Sequence, residues 1–329
     1  MTLREPEIER KPELKPKVVA GRFSLIGPVG NGYYTQRYRA KDMQDNDRPI
    51  SLKSYDWRSH FTEIGCTLFK WHVENVIALD PHPNIIPTRL VGGGEEDGER
   101  LYVIQDHIDG VPASAWVKSA QTPKIAVERL IHVLEGVCEA LQWAMRRHEL
   151  QYCLKPGDVL VENGTDTVKV GDIGVYANNL SYMSIKPCCS RYCMNPVPIL
   201  TDYWDARMQG FCIEPNELSC IYALGILAYE MATGKPPFGR RDVSVLKEYV
   251  FNRIPPVAEH SSFPLPGWLV DFINKCLEKD PGLRYQDAQC AAMALKLGRK
   301  IDAQPNLAHR IFQVVRKAFS SAERVPPDA

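Results

Sequence analysis

The chain has 329 residues, with 40 lysines and arginines balanced by 40 aspartates and glutamates, so its formal net charge is zero. Apolar residues make up 44% and charged residues 24%, the composition of an ordinary globular protein, long enough for one large two-lobed domain or two small ones. The charge balance gives no global attraction to nucleic acid or an anionic membrane, and the longest apolar run, from Cys220 to just beyond Leu227, is broken by Glu230 and falls short of a membrane span.

The first residues, MTLREPEIERKPELKPK, alternate charge and proline. Residues 1–21 are therefore expected to form a disordered tail with no secretory leader. Phe23-Ser24-Leu25-Ile26, Arg48-Pro49-Ile50-Ser51-Leu52-Lys53 and Leu101-Tyr102-Val103-Ile104 read as strands. Val127, Leu130, Ile131, Leu134, Val137, Cys138 and Leu141 recur at three- and four-residue spacing and predict a long amphipathic helix. Asn163-Gly164, between Val159-Leu160-Val161 and Val168-Lys169-Val170, is a hairpin signal. Pro305 opens a last predicted helix over 305–323, with Leu307, Ile311, Val314, Val315 and Phe319 near one stripe. Ten cysteines without regular spacing point to free thiols in a reducing compartment, and a cytoplasmic location is expected. Cys188, Cys189 and Cys193 lack paired metal-ligand spacing and read as free thiols too.

Several blocks stand in a fixed order. Gly30-Asn31-Gly32-Tyr33-Tyr34-Thr35 is glycine-rich; Leu154-Lys155-Pro156-Gly157-Asp158 leads into a strand; Asp172-Ile173-Gly174 follows. Ile221 to Met231, then Thr233-Gly234-Lys235-Pro236-Pro237-Phe238, gives a buried helix and its exit. Cys276-Leu277-Glu278-Lys279-Asp280-Pro281 and Arg284 close the series. In this order they resemble the protein kinases, the bacterial-type Ser/Thr kinases in particular. The resemblance covers roughly residues 22 to 300. It implies an α+β bilobal fold: a small β-rich N-lobe over 22–104, a hinge over 105–110 and a larger helical C-lobe over 111–300. An amphipathic helix and tail over 301–329 follow.

The same resemblance implies a nucleotide site. Gly30 and Gly32 would let backbone cradle phosphates. Lys53 would contact the α- and β-phosphates, steadied by Glu74 or, failing that, Glu63. Gln105 takes the gatekeeper position, and Asp106, His107 and Ile108 offer backbone to adenine. Lys155 would reach the γ-phosphate, and Asp158 and Asp172 would hold Mg²⁺.

The departures fall on the machinery. Cys153 stands at the catalytic-base position, where a neutral thiol cannot orient a hydroxyl as a carboxylate does. Thr35 replaces the third glycine, and Arg37 replaces the valine over adenine. Asp158 replaces a metal-binding asparagine, and Cys220 replaces the aspartate that braces the catalytic loop. The glutamate that pairs with Arg284 becomes Arg207, and two arginines form no bridge. The sequence thus reads as a pseudokinase, a regulatory or scaffolding module with ATP and Mg²⁺ held weakly or lost. An active Ser/Thr kinase of altered mechanism and a ligand-free interaction module are the alternatives. A protein partner is expected through 305–323 or 175–203, with no nucleic acid and no membrane span.

Overall fold

The computed structural model describes residues 17–31, 35–56, 63–78, 80–92, 100–147, 154, 156–172, 217–238 and 254–304. Gly32, Cys153, Lys155, Arg207, the 175–203 segment with its three cysteines and the helix expected over 305–323 lie outside the described residues.

The N-terminal part is an antiparallel sheet in the order β1-β2-β3-β4-β6-β5. Its strands are β1 (Val18–Val19), β2 (Phe23–Asn31), β3 (Thr35–Asp42), β4 (Arg48–Asp56), β5 (Thr88–Gly92) and β6 (Arg100–Asp106). Leu101 to Gln105 are all buried, as suits a strand flanked on both sides and covered on both faces. Phe23, Ala40, Ile50, Leu52, Tyr102 and Ile104 form the core of this lobe. One helix, α1 (Glu63–Ile77), packs against β5. The sheet takes in two residues assigned above to the tail. Ala20 and Gly21 have φ of 48° and 58°, and Arg22 donates its N–H to the Val19 carbonyl at 3.2 Å. This tight turn folds Val18–Val19 back onto β2 and buries Val19.

The helical part holds the larger core. After β7 (Gly110–Pro112) and α2 (Ala113–Lys118) comes α3 (Pro123–Met145), the helix the periodicity predicts. Thr122 caps it by accepting from the Ile125 N–H at 3.3 Å, with Pro123 in the first turn. The central helix α4 (Glu217–Thr233) is buried from Ser219 to Ala232; a helix apolar all round belongs in a core. Helices α5 (Val257–His260), α6 (Gly267–Cys276) and α7 (Ala288–Ala303) complete the described part. Among the described residues no helix is long and apolar enough to cross a membrane. Cys138, Cys220, Cys276 and Cys290 form no disulfide; the first three are buried and Cys290 partly so.

A small sheet, β7-β8-β9, lies between these parts, with β8 at Val159–Glu162 and β9 at Val168–Val170. The expected hairpin is present, and Gly164 takes the left-handed φ of 82° its turn requires. The loop after α1 is bonded to this sheet. Ile86 donates to the Val170 carbonyl at 2.9 Å, and Val170 donates to that of Asn84 at 2.8 Å. The Asn84 amide adds a bond to the Val168 carbonyl at 2.9 Å.

Candidate functional site

Two strands and one turn build the site. In the β3–β4 register Arg37 lies directly opposite Lys53. Two like charges facing each other across a ladder repel, so this pair needs anions near it. They come from the turn before β8 and the end of β9. Pro156–Asp158 forms a single 3₁₀ turn that leaves Asp158 buried. Gly171 then donates its N–H to the Asp158 carbonyl at 2.8 Å, which brings the next residue, Asp172, beside Asp158. Asp172 is 1% exposed and sits at φ 62°. A non-glycine residue in that region is strained and is held there by its surroundings.

The four charges meet. Lys53, itself 5% exposed, pairs with Asp172 Oδ2. Arg37 donates from Nη2 to Asp158 Oδ1 at 2.9 Å and to Asp172 Oδ2 at 3.3 Å. Asp158 Oδ2 and Asp172 Oδ1 are buried and have no hydrogen-bond partner among the described residues. Buried carboxylate oxygens without partners are unfavourable, so these two are open to a donor or a cation. A carboxylate pair can hold Mg²⁺, which takes one or two carboxylates and completes its shell with water and nucleotide phosphates, but Arg37 already bonds both groups here. Among the described residues no cluster of three or more His, Cys, Asp or Glu side chains forms a metal cage, so any such ion would depend on Asp158, Asp172 and the phosphates.

The remaining expected residues fall at several places. Gly30 pairs with Arg37 across β2 and β3, which puts Gly30 beside the charged cluster. Gln105, expected at the gatekeeper position, is buried and donates from Nε2 to the Thr88 hydroxyl at 3.2 Å, its register partner on β5. Its amide is thus satisfied within the sheet. The Asp106 N–H donates to the Pro87 carbonyl at 3.1 Å, and its carboxylate takes Arg89 and, at 3.3 Å, Arg48. His107 and Ile108 follow, half-buried, outside any strand. Glu74 is exposed on α1, and no ion pair joins it to Lys53 among the described residues. Glu63 opens α1, but its side chain lies outside what is described.

Among the described residues the carboxylate paired with Lys53 is that of Asp172. Arg37, which the sequence marks only as a replacement for the valine over adenine, is the residue that joins both carboxylates. Its signal was a paired change: a cation gained at position 37 and an anion gained at position 158.

Arg284, expected to lack its family partner, is bonded to backbone. It is 2% exposed and donates to the carbonyls of Glu278 at 2.8 Å, Leu218 at 2.8 Å and Lys279 at 3.2 Å. Its guanidinium also lies 4.8 Å from the Tyr222 ring centroid. Burial pulls its pKa down to about 10.

The sequence profile of the protein kinase domain matches residues 23–295. Serine/threonine-protein kinase PknB of Mycobacterium tuberculosis (strain H37Rv) is 30% identical over 308 residues, 90% of this chain and 46% of the relative. Serine/threonine-protein kinase PrkC of Bacillus subtilis is 26% identical over 275 residues, 83% of this chain and 40% of the relative. The chain thus spans less than half the length of these relatives. Among solved structures, the PknI kinase domain of Mycobacterium tuberculosis matches with a TM-score of 0.60 at 18% identity, covering 86% of this chain and 98% of that one. This likeness carries the bilobal fold, and the family in general works with ATP and Mg²⁺. With the profile spanning both lobes, from β2 to within α7, the chain belongs to the protein kinase family.

Proposed function

We propose that this protein is a pseudokinase: a kinase-fold regulatory or scaffolding module that retains ATP binding and does not transfer phosphate. The observation that carries the nucleotide part is the buried Lys53–Asp172 pair beside Asp158. Desolvating two opposite charges is costly unless they are paired or used, and Arg37, opposite Lys53, is the register partner of Gly30. The regulatory part rests on the sequence. Cys153 holds the base position and Cys220 that of its brace, and losing a general base alone lowers rates by roughly 10²–10⁴-fold.

One observation favours a second reading, an active Ser/Thr kinase of altered mechanism. Asp158 keeps a carboxylate oxygen with no partner among the described residues, in place to accept a proton. Positioning and electrostatics supply most of phosphoryl-transfer catalysis, so turnover could survive without the usual base.

A thermal-shift titration with ATP tests nucleotide binding. The melting temperature is expected to rise with ATP, and Lys53→Ala to abolish the rise. No shift and no calorimetric heat at millimolar ATP or ADP would leave the ligand-free module. Radiolabel transfer from γ-labelled ATP to the chain or to generic protein substrates is expected at background. Transfer that vanishes in Asp172→Asn would establish the second reading instead.

A further inference from the structure

We infer that Arg37 holds the place of the divalent cation, so that this domain takes up nucleoside triphosphate without metal. The inference rests on the nucleotide reading above and goes beyond it by naming the counter-ion.

Four observations converge. Arg37 spans the two carboxylates that would otherwise share a metal, with one nitrogen bonded to both. It is held there from below by register, directly opposite Lys53. The four described charges balance: Arg37 and Lys53 face Asp158 and Asp172. A divalent ion entering it would meet two cations at short range, a repulsion that a low-dielectric pocket screens poorly. Finally, the guanidinium is only partly spent. It has five N–H groups, and both bonds come from Nη2. Nε and Nη1 have no partner among the described residues, and the side chain is 29% exposed. An arginine so placed neutralises buried carboxylates with one nitrogen and offers the others to a phosphate oxygen. Guanidinium suits phosphate through charge-assisted hydrogen bonds. In the protein kinases an ion carries out this bridging; here a side chain does.

The test uses the full chain and reads two quantities. The first is the ATP-induced melting shift in EDTA and in Mg²⁺. The second is Mn²⁺ uptake without nucleotide, followed by loss of the free-ion electron paramagnetic resonance signal. The wild-type protein is expected to give equal ATP shifts in EDTA and Mg²⁺ and to take up no Mn²⁺. Arg37→Val is expected to bind Mn²⁺ and to need Mg²⁺ for its ATP shift. If that variant folds poorly because Asp158 is left unpaired, the neutral double variant with Arg37→Val and Asp158→Asn carries the same test. The change in metal affinity should be roughly 10- to 100-fold, the size seen when groups around metal ligands change. A wild-type shift that requires Mg²⁺, or Mn²⁺ uptake as tight in wild type as in the variants, overturns the inference. Absence of any ATP shift overturns the nucleotide reading and metal-free uptake with it. The Mn²⁺ measurement still decides whether Arg37 holds the cation's place.

Discussion

At the scale of single residues, the chain resolves its charge conflicts with partners that differ from those the motifs suggest. Arg284 is the clearest case. Its three carbonyl acceptors belong to backbone, so no pairing of side chains along the sequence could reveal them. Arg284→Ala would strip three carbonyls of their donor and leave a cavity where the buried guanidinium sat. We expect a loss of about 3 kcal/mol or more in urea unfolding, and Arg284→Lys should recover little, since an ammonium lacks the planar fork. His82 gives a pH effect. Its Nδ1 accepts from the Asn84 N–H at 3.2 Å, and burial holds its pKa below the ordinary 6.5. As pH falls, the unfolded chain gains the proton first. The His82 contribution is therefore complete above about pH 6.5 and is lost as pH drops through the lower folded value. Melting curves between about pH 7 and pH 5 should fall less steeply in His82→Asn, which has no proton to gain.

At the scale of elements, periodicity was a good guide and long-range pairing a poor one. The strands at Phe23, Arg48 and Leu101, the long helix α3 and the β8–β9 hairpin are where the sequence reading put them. Each announces itself through local alternation, helical spacing or turn residues. The short β1 does not, because two valines carry no period and its existence depends on the turn at Ala20-Gly21. The spacing of residues along α1 fixes neither the rotation of the helix nor which of its carboxylates faces β4. Helix packing yields its own prediction. A Cβ on Gly298 of α7 would lie 2.1 Å from Trp268 Cε3 on α6, whereas one on Gly267 would meet nothing within 4 Å. Gly298→Ala is expected to destabilise by about 1–3 kcal/mol despite the better helix propensity of alanine. Gly267→Ala is the control and should leave chemical denaturation unchanged.

At the scale of the molecule, family and architecture were legible because they are spread over many ordered blocks, from Gly30 to Arg284. The state of the site was less so, since it depends on which side chains converge from β3, β4, the turn before β8 and the end of β9. Arg37 and Asp158 are 121 residues apart and meet at 2.9 Å. Only the fold brings them together. The two lobes are coupled through the Asn84–Ile86 loop and β9. Hydrogen exchange should therefore show the Ile86 and Val170 amides opening together with the core of α3. Faster local exchange at both amides would mean that the lobes open separately.

That backbone ladder has a practical consequence for chain connectivity. The hinge carries the only covalent link on the path from β6 to β7, yet it is not the only link between the lobes. A chain divided at the exposed Asp109 would keep Ile86 bonded to Val170 and Asn84 bonded to Val168. Fragments 1–109 and 110–329, co-expressed, should reassemble into one particle on size exclusion. Asn84→Ala, which removes the side-chain part of that bonding, should weaken their reassembly more than it weakens the intact chain, where the covalent hinge keeps the halves at high effective concentration.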